Sequence, residues 1–290
     1  MKNKAYPTWF AGGALLLYGV FVLVPALLGF GFSFTDWNSY SSDIHWVGLD
    51  NFAAIFDPTS NYLSAIQNTV LFTVATIALK TVIALGLAIL LTSGVKRFSY
   101  LFRALIFLPA VLPILIVGLI FQSVLNPDTG LLNSTLRLIG LGGLAQQWLT
   151  DVSIALWSVI GVDTWRGVGY IMVILIAGLQ AIPRDYYEAA SLDGASSRQA
   201  FWHITLPLLM PVLLVTTVLN LLYGLRVFDM VFVLTNGGPG FATQTVYTTI
   251  FQDFSLGRYG TATALSTLFF IVMVVLSFLV IRIMRPKQEG

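Results

Sequence analysis

Six long apolar runs constrain this chain more than any other feature of its 290 residues. Each run has about 20 residues or more, which lets a helix cross a hydrocarbon core of roughly 30 Å. Lipid cannot satisfy free backbone groups, and the runs are too long and too uniformly apolar for barrel strands. The sequence therefore predicts an all-α integral membrane protein with six transmembrane helices near residues 9–33, 65–93, 104–125, 151–178, 208–234 and 261–284.

The composition agrees with a lipid environment. Hydrophobic residues make up 57% of the chain and charged residues only 10%, whereas a soluble domain carries about 25% charged residues. A net charge of +2 gives no reason to expect nucleic-acid binding. The chain has no cysteine, which excludes disulfides, cysteine-based metal sites and thiol nucleophiles.

Lysine and arginine fall mostly on one side of the membrane if the six runs alternate, and such residues mark the cytoplasmic side. The opposite loops contain only Arg137 and Arg258. We therefore expect a multi-pass protein of the cytoplasmic membrane, with both termini in the cytoplasm and a first helix that is not cleaved. The residues assigned to the cytoplasmic side are Lys2, Lys4, Lys96, Arg97, Arg103, Arg184, Arg198, Arg282, Arg285 and Lys287.

The expected domain organisation follows from these runs. Residues 1–63 form an N-terminal transmembrane helix with an outer loop, residues 64–284 form the main transmembrane domain, and residues 285–290 form a cytoplasmic tail.

The longest polar segment on the expected cytoplasmic side is residues 183–211, which we name the polar island. Its pattern predicts two short helices with a turn between them. Pro183 suits a first helical position, Asp193-Gly194 suits a turn, and Ser196 with Gln199 fits a capping box. A folded segment of this kind between two membrane spans is what a membrane protein needs to dock a soluble partner.

Motifs for catalysis and metal binding are missing from the sequence. It contains no G-x-x-x-x-G-K-[ST] phosphate loop and no G-x-S-x-G nucleophile elbow. The two histidines, His45 and His203, lie in predicted loops on opposite sides of the membrane. We therefore predict no catalytic residue, no metal site and no enzymatic activity in this chain.

Five ionisable residues lie inside predicted spans: Lys80, Asp163, Arg166, Arg226 and Asp229. Intramembrane charges are costly and are functional candidates by default. Asp163 and Arg166 are three residues apart, as are Arg226 and Asp229, so each pair shares a helical face and is able to form an ion pair. These residues either line a substrate pathway or hold helices together, and Lys80 either neutralises an aspartate or contacts substrate.

A polar and aromatic stripe on the fifth run adds to these candidates. Asn220, Tyr223 and Arg226 recur at helical spacing. Such a stripe suits a sugar, whose ring stacks on aromatic side chains and whose hydroxyls need directional hydrogen bonds. It suits hydrogen bonding between helices equally well.

The polar island also contains a recognisable motif. Glu188-Ala189-Ala190, three residues, Gly194, nine residues and Ile204-Thr205-Leu206-Pro207 match the pattern E-A-A-x3-G-x9-I-x-L-P. This resembles the EAA loop of permease subunits in bacterial ABC importers. The resemblance implies a type I importer permease fold, with helices of the loop docked in a cleft of an ATPase subunit. The residues implied in that coupling are Glu188, Ala189, Ala190, Asp193 and Gly194.

A second group of residues is similar to the carbohydrate-uptake members of these permeases, which include maltose-type and glycerol-phosphate-type importers. It includes Phe228-Asp229, the segment 234–239 with its Gly237-Gly238-Pro239 turn, Thr243, Gly48 to Phe52, Asn68-Thr69, Leu108-Pro109, and Asn126-Pro127 with Gly130 and Asn133. The resemblance implies that a carbohydrate, for example an oligosaccharide, is carried. A phosphorylated polyol such as glycerol 3-phosphate is the alternative cargo, and an ion-coupled secondary transporter is a less well supported alternative mechanism.

The same resemblance implies the partners. They are a second homologous permease subunit, two ATPase subunits that bind ATP and magnesium, an extracytoplasmic solute-binding protein and the lipid bilayer. No cofactor is expected in this chain itself. Transport would proceed by alternating access, driven by the separate ATPases.

Overall fold

A computed structural model describes residues 10–94 and 98–284 of the chain. The predicted tail at residues 285–290 lies outside these residues, as do Lys2, Lys4, Lys96, Arg97, Arg285 and Lys287. The helices are α1 (Phe10–Tyr18), α2 (Val24–Phe32), α3 (Asp50–Ile55), α4 (Tyr62–Ile89), α5 (Ser99–Val111), α6 (Ile114–Val124), α7 (Leu131–Leu138), α8 (Ala155–Gln180), α9 (Asp185–Leu192), α10 (Ser197–Ala200), α11 (Leu206–Leu225), α12 (Asp229–Thr235), α13 (Val246–Ser255) and α14 (Tyr259–Met284).

Within the described residues, five helical segments are long and apolar enough to cross a membrane: residues 11–32, 62–92, 155–180, 197–225 and 259–283. The number is six if the bent pair of α5 and α6 crosses as one span. These segments overlap the six apolar runs, so the all-α, multi-pass prediction is confirmed.

The third apolar run, predicted as one helix over 104–125, is instead a broken span. Helices α5 and α6 meet at an angle of 96° across Leu112 and Pro113. Leu112 is extended, with ψ at 137°, because a residue that precedes proline is disfavoured in the helical region. Pro113 has no N–H to donate to the preceding turn. The bend follows from a proline that the hydrophobic count alone ignores.

The fifth run also ends earlier than the predicted residue 234. Helix α11 stops at Leu225, and the short helix α12 starts at Asp229 after a three-residue break. At its other end the helix begins before residue 208, because α10 continues through a π-helical turn at Phe201–Thr205 into α11.

The chain divides into two compact units. The first comprises residues 1–63 and 249–272. In it, the buried Asp253 carboxylate accepts hydrogen bonds from the Tyr62 hydroxyl at 2.9 Å and from Arg258 Nη2 at 2.5 Å. Burial raises the pKa of the Asp253 carboxyl, and the two hydrogen bonds oppose this rise. The division into residues 1–63 and 64–284 stays a prediction.

The second unit comprises residues 64–248 and 273–290, and α8 is its central helix. Of the most apolar stretch of α8, 61% is buried. One end of α8 packs in an apolar cluster that includes Phe72, Ile160 and Met230. The other end packs in a cluster that includes Met172 and Leu209. The candidate functional residues described next all belong to this unit.

Candidate functional site

The first helix of the polar island is α9. It has eight residues and begins at Asp185, with Arg184 at its N-cap. Pro183, predicted at the first helical position, lies before the N-cap and outside the helix. Asp185 and Glu188 lie in the first turn, where negative charge interacts favourably with the helix dipole.

The turn and the second helix of the island form as the sequence predicts. Gly194 has a φ of +78°, a conformation that costs glycine little. Ser196 caps α10, and Gln199 completes the capping box by accepting a hydrogen bond from the Ser196 N–H at 2.8 Å. The second helix is not separate, however, since it runs on into the membrane helix α11.

The predicted coupling residues are accessible. Glu188, Ala189, Asp193 and Gly194 are exposed, and Ala190 is partly buried. No residue of α9 is buried. Leu192, an apolar side chain at the end of the helix, is 88% exposed. The polar island therefore presents an ordered surface that is free to meet a partner, and the coupling role of its residues stays a prediction.

A buried charge cluster joins three membrane helices. Lys80 on α4 places its Nζ 2.6 Å from Oδ2 of Asp163 on α8. The Tyr223 hydroxyl on α11 donates to Oδ1 of the same aspartate at 2.6 Å. The ammonium also lies 4.6 Å from the centre of the Tyr223 ring, within range of a cation–π interaction. Lys80 and Asp163 are 3% and 1% exposed, so the cluster is shielded from solvent.

Gly167 makes room for this cluster. A Cβ at position 167 would lie 2.8 Å from Cε and 2.9 Å from Nζ of Lys80, closer than side chains approach. The lysine therefore crosses α8 one turn from Asp163, over the glycine. Sequence reasoning did not single out Gly167, and only its position four residues after Asp163 could have drawn attention to it.

The ion pair of Asp163 with Arg166, which their spacing permits, does not form among the described residues. Arg166 Nε instead donates to the backbone oxygen of Leu112, at 3.4 Å, where the broken span bends. Lys80 takes the place beside Asp163, which was one of the two roles expected for it. A carboxylate that is buried on α8 selects the cation that can reach it inside the helix bundle.

The ion pair of Arg226 with Asp229, which the same spacing permits, is likewise not formed among the described residues. Arg226 is the C-cap of α11 and Asp229 the first residue of α12, so the two share no continuous helical face. Both are exposed, and neither has an ion-pair partner among the described residues.

The stripe on α11 divides into residues with different surroundings. Tyr223 is bonded within the buried cluster, whereas Arg226 lies exposed at the helix end. Asn220 is 5% exposed, and its Nδ2 has no hydrogen-bond partner within the residues that the structure describes. A buried amide donor without a partner costs about 1–3 kcal/mol. Asn220 is therefore a buried member of the stripe whose donor is still available to a ligand.

A cleft of about 630 Å³ lies between the end of α6 and the turn that follows α12. Gln122 forms part of its wall and donates from Nε2 to the backbone oxygen of Val233 at 2.5 Å. Asn126, Thr150 and Pro239 also line it. The sequence predicts the turn at residues 237–239 but not the cleft, because the cleft is lined by segments that lie far apart in the chain.

The comparison with known families decides what kind of protein carries these features. Residues 80–290 match the family described as "Binding-protein-dependent transport system inner membrane component". The chain belongs to this family. It is thus a membrane component of a binding-protein-dependent transport system, as the EAA pattern in the polar island implied.

Individual relatives match over nearly their whole length. The chain is 36% identical to a probable ABC transporter permease protein, YurN, of Bacillus subtilis (strain 168), and the match covers 99% of both chains. It is 33% identical to the trehalose/maltose transport system permease protein MalF of Thermococcus litoralis, over 93% of this chain and 90% of the relative.

A solved structure shows the same fold. A chain of a bacterial alginate ABC transporter, crystallised in complex with an alginate pentasaccharide-bound periplasmic protein, matches with a TM-score of 0.82. The match covers 97% of this chain and 96% of the other, at 23% identity. The expected importer permease fold of type I is therefore confirmed.

Proposed function

We propose that this chain is the permease subunit of an importer that moves a carbohydrate across the cytoplasmic membrane of a bacterium, driven by separate ATPase subunits. Family membership carries the transport role. The trehalose and maltose in the name of one relative, and the alginate of the structural neighbour, support a carbohydrate as cargo. Selection among sugars is expected to reside largely in the solute-binding partner.

The polar island is the proposed docking surface for an ATPase subunit. Its first helix, α9, contains no buried residue, and the Glu188 side chain is exposed there. The exposed Leu192 supplies an apolar anchor of the kind that fills a cleft in a partner. ATP and magnesium are bound by two such subunits, and the remaining partners are a second, homologous permease subunit and a solute-binding protein on the outer side.

The proposed orientation places the polar island and both termini in the cytoplasm. The excess of lysine and arginine on that side supports it. A reporter fused to the C-terminus is expected to be active only in the cytoplasm, and an external signal would refute the orientation.

The proposed pathway passes residues whose polar groups are still free to bind cargo. Asn220 has an unpartnered donor, and Arg226 and Asp229 are exposed and unpaired among the described residues. Arg166 contributes where the broken span bends, since among the described residues only its Nε donates a hydrogen bond, to the Leu112 backbone oxygen. Asp163 and Tyr223 are proposed to stabilise the helices along this pathway rather than to bind cargo. Their polar groups already bond within the buried cluster.

The exposed EAA surface of α9 is the observation that carries the coupling mechanism, and Glu188→Lys tests it. The complete transporter, reconstituted in vesicles with its binding protein, is expected to lose at least nine-tenths of ATP-driven sugar uptake. The reason is that a reversed charge in the docked helix opposes a complementary partner, and like-charge contacts cost several kcal/mol. Uptake of radiolabelled sugar and release of phosphate are measured together.

Asp185→Lys is the matched control, because it makes the same change in charge one turn earlier and outside the motif. It is expected to retain most of the uptake. An equal loss in both variants would show that the overall charge of α9 matters rather than Glu188. Wild-type uptake in Glu188→Lys would remove the coupling assignment, and hydrolysis by this chain alone would refute the division of labour.

A further inference from the structure

Helix α9 is connected to the rest of its unit mainly through the backbone at its two ends. It contains no buried residue. Within the described part of the chain, a single side-chain hydrogen bond leads from α9 to another element: the Tyr187 hydroxyl lies 2.9 Å from Oγ1 of Thr205. Tyr187 is also one of the few partly buried residues of the helix. This contact therefore fixes the orientation of an otherwise exposed helix.

Thr205 lies immediately before the first residue of the membrane helix α11. It is 8% exposed and ends the π-helical turn Phe201–Thr205, from which α11 continues without interruption to Leu225. Its Oγ1 is also 3.5 Å from the backbone oxygen of Ala200, one π-helical turn back. Such turns are frequent at functional sites in helices. A force on the Thr205 hydroxyl therefore acts directly on the first turn of α11.

Along the backbone, α9 is connected to α11 through the turn at residues 193–196, then α10 and the π-helical turn Phe201–Thr205. Gly194 lies there with a positive φ, and glycine has the widest backbone freedom of any residue. A turn of this kind transmits displacement poorly. The side-chain bond between Tyr187 and Thr205 is the shorter and more directional connection, and α11 carries Asn220 and Tyr223 four to five turns further on.

We propose that Tyr187 and Thr205 are the positioning pair that passes motion of α9 to membrane helix α11 during transport. This inference rests on the proposed function, in which an ATPase subunit moves α9. The pair does not contact nucleotide or cargo. It sets how much of the movement of α9 reaches the helix that carries the proposed cargo contacts, rather than how tightly the ATPase binds.

Tyr187→Phe tests the pair in the reconstituted transporter. We expect uptake per ATP hydrolysed to fall about fivefold, the factor that corresponds to losing one ordinary hydrogen bond. The amount of ATPase that co-purifies with the permease is expected to stay unchanged. Thr205→Val is expected to give the same loss, and Thr205→Ser, which keeps the hydroxyl, is expected to restore coupling.

Tyr170→Phe is the matched control, since it removes the same hydroxyl from a tyrosine of α8 that is 46% exposed and lies outside the polar island. It is expected to couple like the wild type. The double variant of Tyr187→Phe with Thr205→Val is expected to be no worse than either single variant, because both remove one interaction. Additive losses would overturn the pairing.

Two further results would also overturn the inference. One is wild-type coupling in Tyr187→Phe. The other is a loss of coupling that matches an equal loss of bound ATPase, which would make Tyr187 part of the docking surface. Failure of the inference differs from failure of the proposed function: in the first case Glu188→Lys still abolishes uptake, and in the second Glu188→Lys transports like the wild type.

Discussion

The polar island and the buried charge cluster are two polar regions of one apolar chain, and their surroundings are opposite. Glu188 on α9 and Asp193 at its C-cap are exposed, and their side chains take part in no ion pair among the described residues. In the cluster, the Asp163 carboxylate is 1% exposed and contacts both Lys80 and Tyr223. One region keeps its polar groups free for a partner, and the other has used them within the bundle.

This difference separates residues that are free to bind a partner from residues that stabilise the fold. Exposed charges contribute little to stability, typically within about 0.5 kcal/mol when replaced, so replacing those of α9 tests function rather than folding. A buried charge has a large desolvation cost that only a close partner offsets. Asp163 and Lys80 therefore have a sufficient structural reason to be where they are. Asn220 is the exception near the cluster, since its buried donor has no such partner.

The largest predicted effect on stability comes from breaking the buried pair. Lys80→Met is expected to destabilise the protein by about 3–5 kcal/mol, because it leaves Asp163 buried without a counter-ion. Thermal unfolding of the detergent-solubilised protein measures the loss.

Combining Lys80→Met with Asp163→Asn provides the control for this prediction. The asparagine carries no charge and still offers an oxygen to the Tyr223 hydroxyl, so most of the stability is expected to return. If the double variant is as unstable as Lys80→Met, the loss comes from packing of the lysine chain rather than from an unpaired charge.

An intermediate effect is predicted for Tyr223→Phe. It keeps the ring beside Lys80 and removes the hydroxyl that donates to Asp163. Hydrogen bonds to charged groups contribute about 1.5–3 kcal/mol, and the same loss of stability is expected in thermal unfolding. Tyr170→Phe, at a tyrosine of α8 that is 46% exposed, is the control and is expected to be neutral. Equal stability of the two variants would contradict a structural role for the Tyr223 hydroxyl.

The smallest effect on stability, with a distinct effect on transport, is predicted for Asn220→Leu. Removing a buried donor that has no partner is expected to leave the unfolding temperature unchanged or raise it. The KM for sugar uptake is expected to rise at least fivefold if the amide binds cargo.

Thr216→Val serves as the comparison for Asn220. Thr216 is buried one turn earlier on α11, and its hydroxyl already donates to the Leu213 backbone oxygen at 3.0 Å. Its KM is expected to stay at the wild-type value. A destabilised Asn220→Leu with normal uptake would return Asn220 to a structural role.

Much of the fold was predictable because its signals are local or cumulative. Apolar runs located the membrane segments, and the capping residues Ser196 and Gln199 located the start of α10. The bend in the third span was not predicted, although Pro113 lies within that apolar run. A count of apolar residues takes no account of the N–H that proline lacks. The three-residue break after Leu225 was missed for the related reason that hydrophobicity continues across it.

The sequence by itself determined that the chain spans a membrane and contains the EAA pattern on an exposed loop, since run length and motif spacing depend only on neighbours along the chain. Only the tertiary structure decided which charges are neutralised. Spacing permitted Arg166 as the partner of Asp163, but Lys80 reaches the carboxylate from another helix, across a glycine on α8. A buried carboxylate pairs with the cation that helix packing brings within about 4 Å. The spacing of residues along one helix does not predict that distance.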